Sequence, residues 1–258
     1  MLKRRLVNLQ DILLGERKTI EITNDILLGF CKHFPVSIDS LLKLCYFTGS
    51  VKDIESLEGS FYSYCYTQYL IAPYSFRSCY ILWERGHYSE APIILRSILE
   101  SFAQIRYLYR HKEKIKTVWV TGNIRMWTMF ESLGVSRDFY ERHYGRLLSG
   151  ISHRKIASDV FRVKRKSATE GRVIMIPEFD SEGSGYVINY LTALMAGYLN
   201  FFKASFPEGF QLLEKDLSVF NQYNESIDWL NRSMLQHKKQ FPNALSWYRD
   251  IDKIIKNE

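Results

Sequence analysis

Apolar residues recur at helical spacing along most of this chain, and glycine or proline separates the helical stretches. Between Ser37 and Phe47, apolar side chains three and four positions apart line one helix face: Ile38, Leu41, Leu42, Leu44 and Cys45. A helix of this kind needs a partner surface that covers its apolar face. The 258 residues contain no internal repeat and no linker long enough to divide them. We therefore expect a mainly α-helical fold, a single multi-helix bundle that forms one domain over residues 1–258.

Helix boundaries follow from the positions of glycine and proline. We expect Pro35 to end the first helix and Pro73 to kink the third, because proline lacks the backbone N–H that a helix interior uses. Pro207 and Pro242 mark later breaks, and residues 181–185 have the composition of a loop. The predicted helices are Glu16–Phe34, Ser37–Phe47, Ser60–Arg85, Ser89–His111, Lys114–Leu133, a helix capped by Ser136 that runs to His153, Tyr186–Ser205, Phe210–Gln240 and Ala244–Lys256.

A different pattern occupies residues 159–179. Asp159–Lys166 and Arg172–Phe179 have alternating and β-branched character, and Ser167–Gly171 between them has turn composition. This pattern predicts a small β-hairpin insertion in the helical bundle near 159–179.

Two uncharged runs of 18 residues, Gly59–Phe76 and Gly185–Phe202, are too polar to face lipid as membrane helices. The N-terminal residues lack the apolar core and cleavage site of a secretory signal. We therefore expect a cytoplasmic protein that does not bind membranes. The cysteines form no CxxC pair and no histidine lies at zinc-finger spacing, so we expect no metal and no cofactor.

Positive charge is concentrated between Arg146 and Arg172. These 27 residues hold eight basic and two acidic side chains, whereas the whole chain has a net charge of +7. A basic patch attracts phosphate groups and releases the counterions that they hold. The segment therefore predicts a nucleic-acid-binding surface formed by Arg154, Lys155, Arg162, Lys164, Arg165, Lys166 and Arg172.

Two predicted helices carry polar residues on one face. Arg96 and Glu100 are four residues apart in an otherwise apolar helix, and partly buried charges need polar partners. Ser149 and His153 are also four apart, and at 100° per residue Arg146 lies within about 20° of His153. We expect Arg96, Glu100, Ser149 and His153 to converge in space. The alternative for Arg96 and Glu100 is an ion pair that fixes helix register only.

The spacing of Arg146 and His153 resembles the R-x4–6-H motif of the HEPN (higher eukaryotes and prokaryotes nucleotide-binding) superfamily. Four Arg–His pairs in the chain fit this motif, but only Arg146 and His153 share a helix face and adjoin the basic segment. The resemblance implies a metal-independent ribonuclease. Arg146 would steady phosphate charge, and His153 would transfer a proton during attack by the ribose 2′-hydroxyl. The resemblance also suggests a homodimer, in which a second protomer supplies a second histidine.

Residues 86–108 and 144–153 resemble a bacterial and archaeal family of unknown function. Its recurring features are a helix reading A-x4-R-S-x2-E and a later helix reading L-S-x3-H. The matching residues here are Arg96, Ser97, Glu100, Leu148, Ser149 and His153. This resemblance implies a helical fold with Arg96, Glu100, Ser149 and His153 as a candidate site, and it implies no particular reaction.

Three functions fit these observations. The first is a HEPN-like RNA-acting protein, such as the endoribonuclease of a toxin or antiphage defence system. The second is a non-catalytic helical module that binds nucleic acid or a protein partner through the basic segment. The third is a bundle that binds a nucleotide or small molecule between the two motif helices. Solvent access to His153 distinguishes a catalytic or ligand-binding role from a structural one.

Overall fold

A computed structural model of the chain describes residues 8–48, 60–122, 124–148, 163–165, 171–173, 176–240 and 245–255. The described part is mainly helical, which confirms the predicted fold class. The helices are α1 (Leu9–Ile26), α2 (Leu28–Thr48), α3 (Phe61–Glu84), α4 (Ala91–Arg110), α5 (Met126–Ser132), α6 (Arg137–Phe139), α7 (Ser181–Ser205), α8 (Pro207–Leu213), α9 (Leu217–Gln240) and α10 (Leu245–Ile255). A 3₁₀ turn (Lys112–Lys114) and a π-helical stretch (Lys116–Val120) follow α4. Helix α6 continues as a π-helix, Tyr140–Leu148, and we call residues 137–148 the site helix.

Helix α7 lies at the centre of the bundle. It is apolar on nearly every side, as expected of a helix that is buried all round. Helices α2, α3, α4, α9 and α10 all pack against it. Packing is tight at Gly197, where a Cβ atom would lie 2.9 Å from side-chain atoms of both Phe102 of α4 and Ile255 of α10. A side chain at this position would therefore displace Phe102 and Ile255, which pack α4 and α10 against α7.

Helix α3 is joined to α7 by buried hydrogen bonds. The Tyr69 hydroxyl donates to the Tyr198 carbonyl over 2.8 Å, and the Trp83 indole N–H donates to the Ser184 hydroxyl over 2.9 Å. A buried polar atom without a partner would destabilise the fold, so these bonds let large aromatic rings occupy the core. They also fix where α3 lies along α7.

The C-terminal helix α10 is held by a buried arginine of α4. Arg106 is 2% exposed, and its guanidinium donates to the carbonyl of Ile254 over 2.8 Å. The same guanidinium carbon lies 4.9 Å from the centre of the Phe201 ring. A cation near the last turn of a helix interacts favourably with its exposed carbonyls and dipole. Arg106 of α4 therefore contacts both α10 and α7 and holds the three helices together.

The prediction that Pro35 ends a helix was wrong. Helix α1 ends before Leu27, and Pro35 lies inside α2. Phe30 and Phe34, which come just before Pro35, are buried against α3, with Phe34 stacked on Tyr80 at 5.9 Å. This packing outweighs the one backbone hydrogen bond that proline removes.

Three other predicted boundaries were wrong. The predicted helix Lys114–Leu133 is interrupted, and the left-handed Gly122, with φ of +62°, separates its π-helical start from α5. Residues 181–185 are not a loop but the first turns of α7, capped by Asp180, whose side chain accepts from the Gly183 N–H. The predicted Phe210–Gln240 helix is divided at residues 214–216 into α8 and α9.

The hairpin predicted near 159–179 is not supported at the predicted length. Two three-residue segments, Val163–Arg165 and Gly171–Val173, pair as antiparallel strands β1 and β2, with Val163 opposite Val173. Residues 177–180, where the second predicted strand would end, have no regular structure. The remaining residues of 159–175 lie outside the described part of the chain.

None of the helices that the structure describes is long and apolar enough to cross a membrane.

The close approach of α8 to α2 gives a test of this packing. A Cβ at Gly209 would lie 2.2 Å from the carbonyl oxygen of Phe47, a backbone atom that cannot move by itself. We expect Gly209→Ala to lower the free energy of unfolding by about 1–3 kcal/mol, as overpacking does. The control is Gly185→Ala in α7, where no atom lies within 4 Å of the new methyl group. That change should raise the free energy of unfolding by about 0.5–1 kcal/mol through helix propensity. Urea unfolding measures both, and equal effects would contradict the described α2–α8 contact.

Candidate functional site

The start of the site helix is fixed by a residue from the other end of the chain. The carboxylate of Asp250 in α10 accepts from the Ser136 backbone N–H over 2.8 Å and from its hydroxyl over 2.6 Å. The Ser136 hydroxyl in turn accepts from the Phe139 N–H, which is the capping bond of α6. Asp250 is 5% exposed, so these bonds lie away from water. The C-terminal helix therefore positions the site helix against the bundle.

A polar network connects α4 with the site helix. The Arg96 Nε donates to the Glu100 carboxylate over 2.6 Å, and Arg96 Nη2 donates to the Tyr144 hydroxyl over 3.4 Å. The Tyr144 hydroxyl also donates to the same Glu100 oxygen. The Arg96 guanidinium lies 5.4 Å from the centre of the Tyr144 ring. Tyr144 therefore contacts both members of the charged pair, through its hydroxyl and through its ring.

The network lies at the edge of the core. The side chains of Arg96 and Glu100 are 21% and 26% exposed, and Tyr144 is buried. Burial raises the pKa of Tyr144 far above its usual value, and the hydrogen bond to Glu100 raises it further. Burial lowers the pKa of the Arg96 guanidinium, but the hydrogen bond and charge of Glu100 raise it more. At neutral pH Tyr144 is thus a neutral donor beside a carboxylate whose partner is a cation.

The structure describes only some of the residues that were predicted to converge from two helices. Arg96 and Glu100 are paired and partly buried, and they contact the helix in which Arg146 lies. Ser149 and His153 lie outside the described residues, so their convergence with Arg96 and Glu100 stays a prediction. Ser97, which matched the sequence pattern, is exposed, and its hydroxyl donates to a carbonyl of its own helix.

The helix geometry assumed for Arg146, Ser149 and His153 does not hold where it can be observed. The alignment within about 20° used 100° per residue, which is α-helical. Tyr140–Leu148 is a π-helix with i→i+5 hydrogen bonds, and each residue turns through a smaller angle. Arg146, Ser149 and His153 would share one face of an α-helix, but the helix is wound as a π-helix up to residue 148.

Tyr144 is the site residue that sequence reasoning missed. Tyr144 is buried against Phe130 and Tyr140, so from the sequence it looks like an ordinary core residue. A signal was present in the sequence, however. A partly buried Arg–Glu pair needs a further hydrogen-bond partner, and a tyrosine can supply a hydroxyl from within an apolar surface.

The basic residues of the predicted nucleic-acid surface are only partly placed. Lys164 and Arg165 lie in β1, and Arg172 lies in β2 opposite Lys164. The others, Arg154, Lys155, Arg162 and Lys166, lie outside the described residues. What the structure describes is the antiparallel pairing of two short strands, each of which carries basic residues.

Within the described ranges, no group of three or more His, Cys, Asp or Glu side chains is arranged to hold a metal ion. The histidine that precedes Tyr144 in the sequence is partly buried and stacked. His143 is half-buried, its ring stacks on Phe139 at 5.3 Å, and burial lowers its pKa.

The chain is similar to one known family. A family model described as a family of unknown function, DUF5677, matches residues 64–168, which include α4 and the site helix. This match confirms the predicted resemblance to a family of unknown function. No curated protein matches the chain, and no solved structure matches it either. The HEPN resemblance stays a prediction.

Removal of the Tyr144 hydroxyl tests the network. We expect Tyr144→Phe to lower the free energy of unfolding by about 1.5–3 kcal/mol, the range for hydrogen bonds to charged groups. The ring and its stacking remain, so packing should not change. Tyr140→Phe is the matched control, since Tyr140 stacks on Tyr144 at 5.2 Å but its hydroxyl takes no part in the described network. It should change the free energy by less than about 0.5 kcal/mol. Equal losses in urea unfolding would argue against the network.

Proposed function

We propose that this protein is a HEPN-like, metal-independent endoribonuclease, of the kind that serves in toxin or antiphage defence systems. The observation that carries the proposal is the Arg96–Glu100–Tyr144 network, a partly buried charged cluster between α4 and the site helix. The site helix contains Arg146, and the basic segment follows it directly along the chain. Perturbed, partly buried polar clusters are typical of functional sites.

In the proposed reaction, RNA is cleaved by its own 2′-hydroxyl group. That oxygen attacks the adjacent phosphorus, the bond to the 5′-oxygen breaks, and a 2′,3′-cyclic phosphate and a 5′-hydroxyl end form. Arg146 would stabilise the negative charge on the phosphate oxygens, and His153 would transfer a proton. Both an acid and a base assist this reaction, so a twofold dimer with one His153 from each protomer would complete the site.

The network has a defined task in this proposal. Arg96 and Glu100 largely neutralise each other, and Tyr144 binds both, so the cluster adds little net charge. It can therefore orient neighbouring groups and leave phosphate binding to Arg146 and the basic segment. We expect Arg96, Glu100 and Ser149 to position Arg146 and His153.

A second candidate is a non-catalytic module that binds nucleic acid or a protein partner through residues 154–172. The specific observation that favours it is the pairing of Arg96 with Glu100 at 2.6 Å, which suffices for a purely structural role. The two candidates differ in whether RNA is cleaved.

A nucleotide- or small-molecule-binding bundle is a third candidate, and displacement of labelled RNA by free nucleotides would favour it.

The decisive test is cleavage of end-labelled RNA in the presence of EDTA. We expect the wild-type protein to cleave RNA without added metal and to leave 2′,3′-cyclic phosphate ends. His153→Ala should abolish cleavage and leave RNA affinity nearly unchanged, because the basic segment supplies the binding. His111→Ala is the matched control, since His111 is half-exposed at the end of α4 and lies outside the proposed site. Cleavage that persists in His153→Ala would contradict the proposal. So would a wild-type protein that leaves RNAs of varied sequence intact.

The basic segment can be tested separately through the salt dependence of binding. Each neutralised phosphate contact steepens the slope of log affinity against log salt by about 0.7 for a single strand. Simultaneous replacement of Arg162, Lys164, Arg165 and Lys166 by glutamine should therefore reduce the slope by about 3. An unchanged slope in the quadruple variant would place the RNA-binding surface elsewhere on the protein.

A further inference from the structure

A row of aromatic rings runs along the site helix on the side of α5. The Tyr140 ring stacks on Tyr144, with centroids 5.2 Å apart and planes 19° from parallel. Trp127 of α5 lies next in the row, 5.1 Å from Tyr140. Phe130, fully buried, packs beneath Tyr140 and Tyr144. Trp127 and Tyr140 are only half-buried, so the end of the row away from Tyr144 reaches solvent.

Arg137 covers this solvent-facing end. Its guanidinium carbon lies 4.6 Å from the centre of the Trp127 ring and 5.5 Å from that of Tyr140. Arg137 Nε donates to Glu141 over 2.7 Å, which fixes the orientation of the guanidinium plane by one edge. The Arg137 side chain is 58% exposed. The Arg137 guanidinium therefore lies over aromatic rings, and the side chain remains accessible to a ligand.

We propose that Trp127, Arg137 and Tyr140 form a stacking platform for a nucleobase of single-stranded RNA. An arginine held over aromatic rings offers a planar, cationic surface, and unpaired bases stack on guanidinium planes and aromatic rings. The platform would take an unpaired base of any identity, because every base has a π face. It rests on the proposed function for its ligand, and it adds a contact that the basic segment does not provide.

The position of the platform suits an RNA strand that also reaches Arg146. Arg137 and Tyr140 belong to the same site helix as Arg146, and Tyr144, which continues the aromatic row, belongs to the Arg96–Glu100 network. A base stacked on Arg137 would hold a nucleotide near the start of this helix. The strand could then continue along the helix toward the basic segment.

Ordinary charge attraction is the competing explanation for any effect of Arg137, and the chain offers a matched control. Arg142 lies on the same helix and pairs with Asp138 at 2.6 Å, as Arg137 pairs with Glu141 at 2.7 Å. The Arg142 side chain is 69% exposed, so neither replacement disturbs the core. A larger loss of RNA affinity in Arg137→Ala than in Arg142→Ala therefore measures the effect of the stacking on Trp127 and Tyr140.

The experiment measures binding of a fluorescein-labelled 2′-O-methyl decauridylate, which cannot be cleaved because its 2′-oxygens are blocked. We expect Arg137→Ala to weaken binding about tenfold, within the range that stacking of one base contributes. Arg137→Lys keeps the charge but not the planar surface, and it should weaken binding to a similar extent. Arg142→Ala should weaken binding less than about threefold. A strand of the same length without bases should bind wild type and Arg137→Ala equally.

The outcomes separate the platform from the proposed function. Equal losses in Arg137→Ala and Arg142→Ala, or wild-type affinity in Arg137→Lys, would overturn the platform and leave RNA binding by the basic segment intact. A wild-type protein that does not bind the decauridylate would overturn both. Cleavage of ordinary RNA is measured in a separate assay, so loss of the platform does not bear on catalysis by His153.

Discussion

The close approach of three helices at Gly197 is the constraint on which the rest of the structure depends. Helix α7 presents no side chain there, so α4 and α10 can both lie against its backbone. Helix α4 carries Arg96 and Glu100, and α10 carries Asp250, which fixes the start of the site helix. One small residue in the core thus sets the spacing between α4, which carries the charged pair, and α10, which holds the start of the site helix. Protein interiors are close-packed, and displacements at such a contact are transmitted rather than absorbed.

Tyr144 is what connects the Arg96–Glu100 pair to the site helix. An ion pair at the edge of a core adds little stability by itself, because removal from water offsets much of the attraction. Here the tyrosine hydroxyl binds both partners and links them to a second helix. The same tyrosine begins an aromatic row that ends at Arg137. Buried polar contacts and exposed stacking surface are therefore continuous along one helix.

Predictions from the sequence were most accurate where local signals and packing favour the same structure. Helix α4 begins and ends within two residues of its predicted bounds, because Gly86 precedes it and Pro92 occupies its first turn. Pro35 gave an equally strong local signal, yet the burial of Phe30 and Phe34 overrides it. The Arg96–Glu100 pairing followed from spacing alone. Tyr144 did not, since a buried aromatic ring in a helical stripe looks the same in sequence whether its hydroxyl is used or not.

The geometry of the site helix could not have been predicted from periodicity. Hydrophobic patterns distinguish helix from strand, but a change from α to π winding leaves the same residues apolar. That change moves every later residue around the helix axis. A motif defined by spacing, such as Arg146 and His153, therefore has no fixed geometry until the winding is known. The match of residues 64–168 to a family model does not depend on winding, which explains why this resemblance was the more informative one.

The bond between Ser136 and Asp250 has a consequence for the order of events during synthesis. The two residues are 114 positions apart, so the bond that fixes the start of the site helix cannot form until Asp250 has also been synthesised. Until then, the site helix lacks the contact that holds its start against α10.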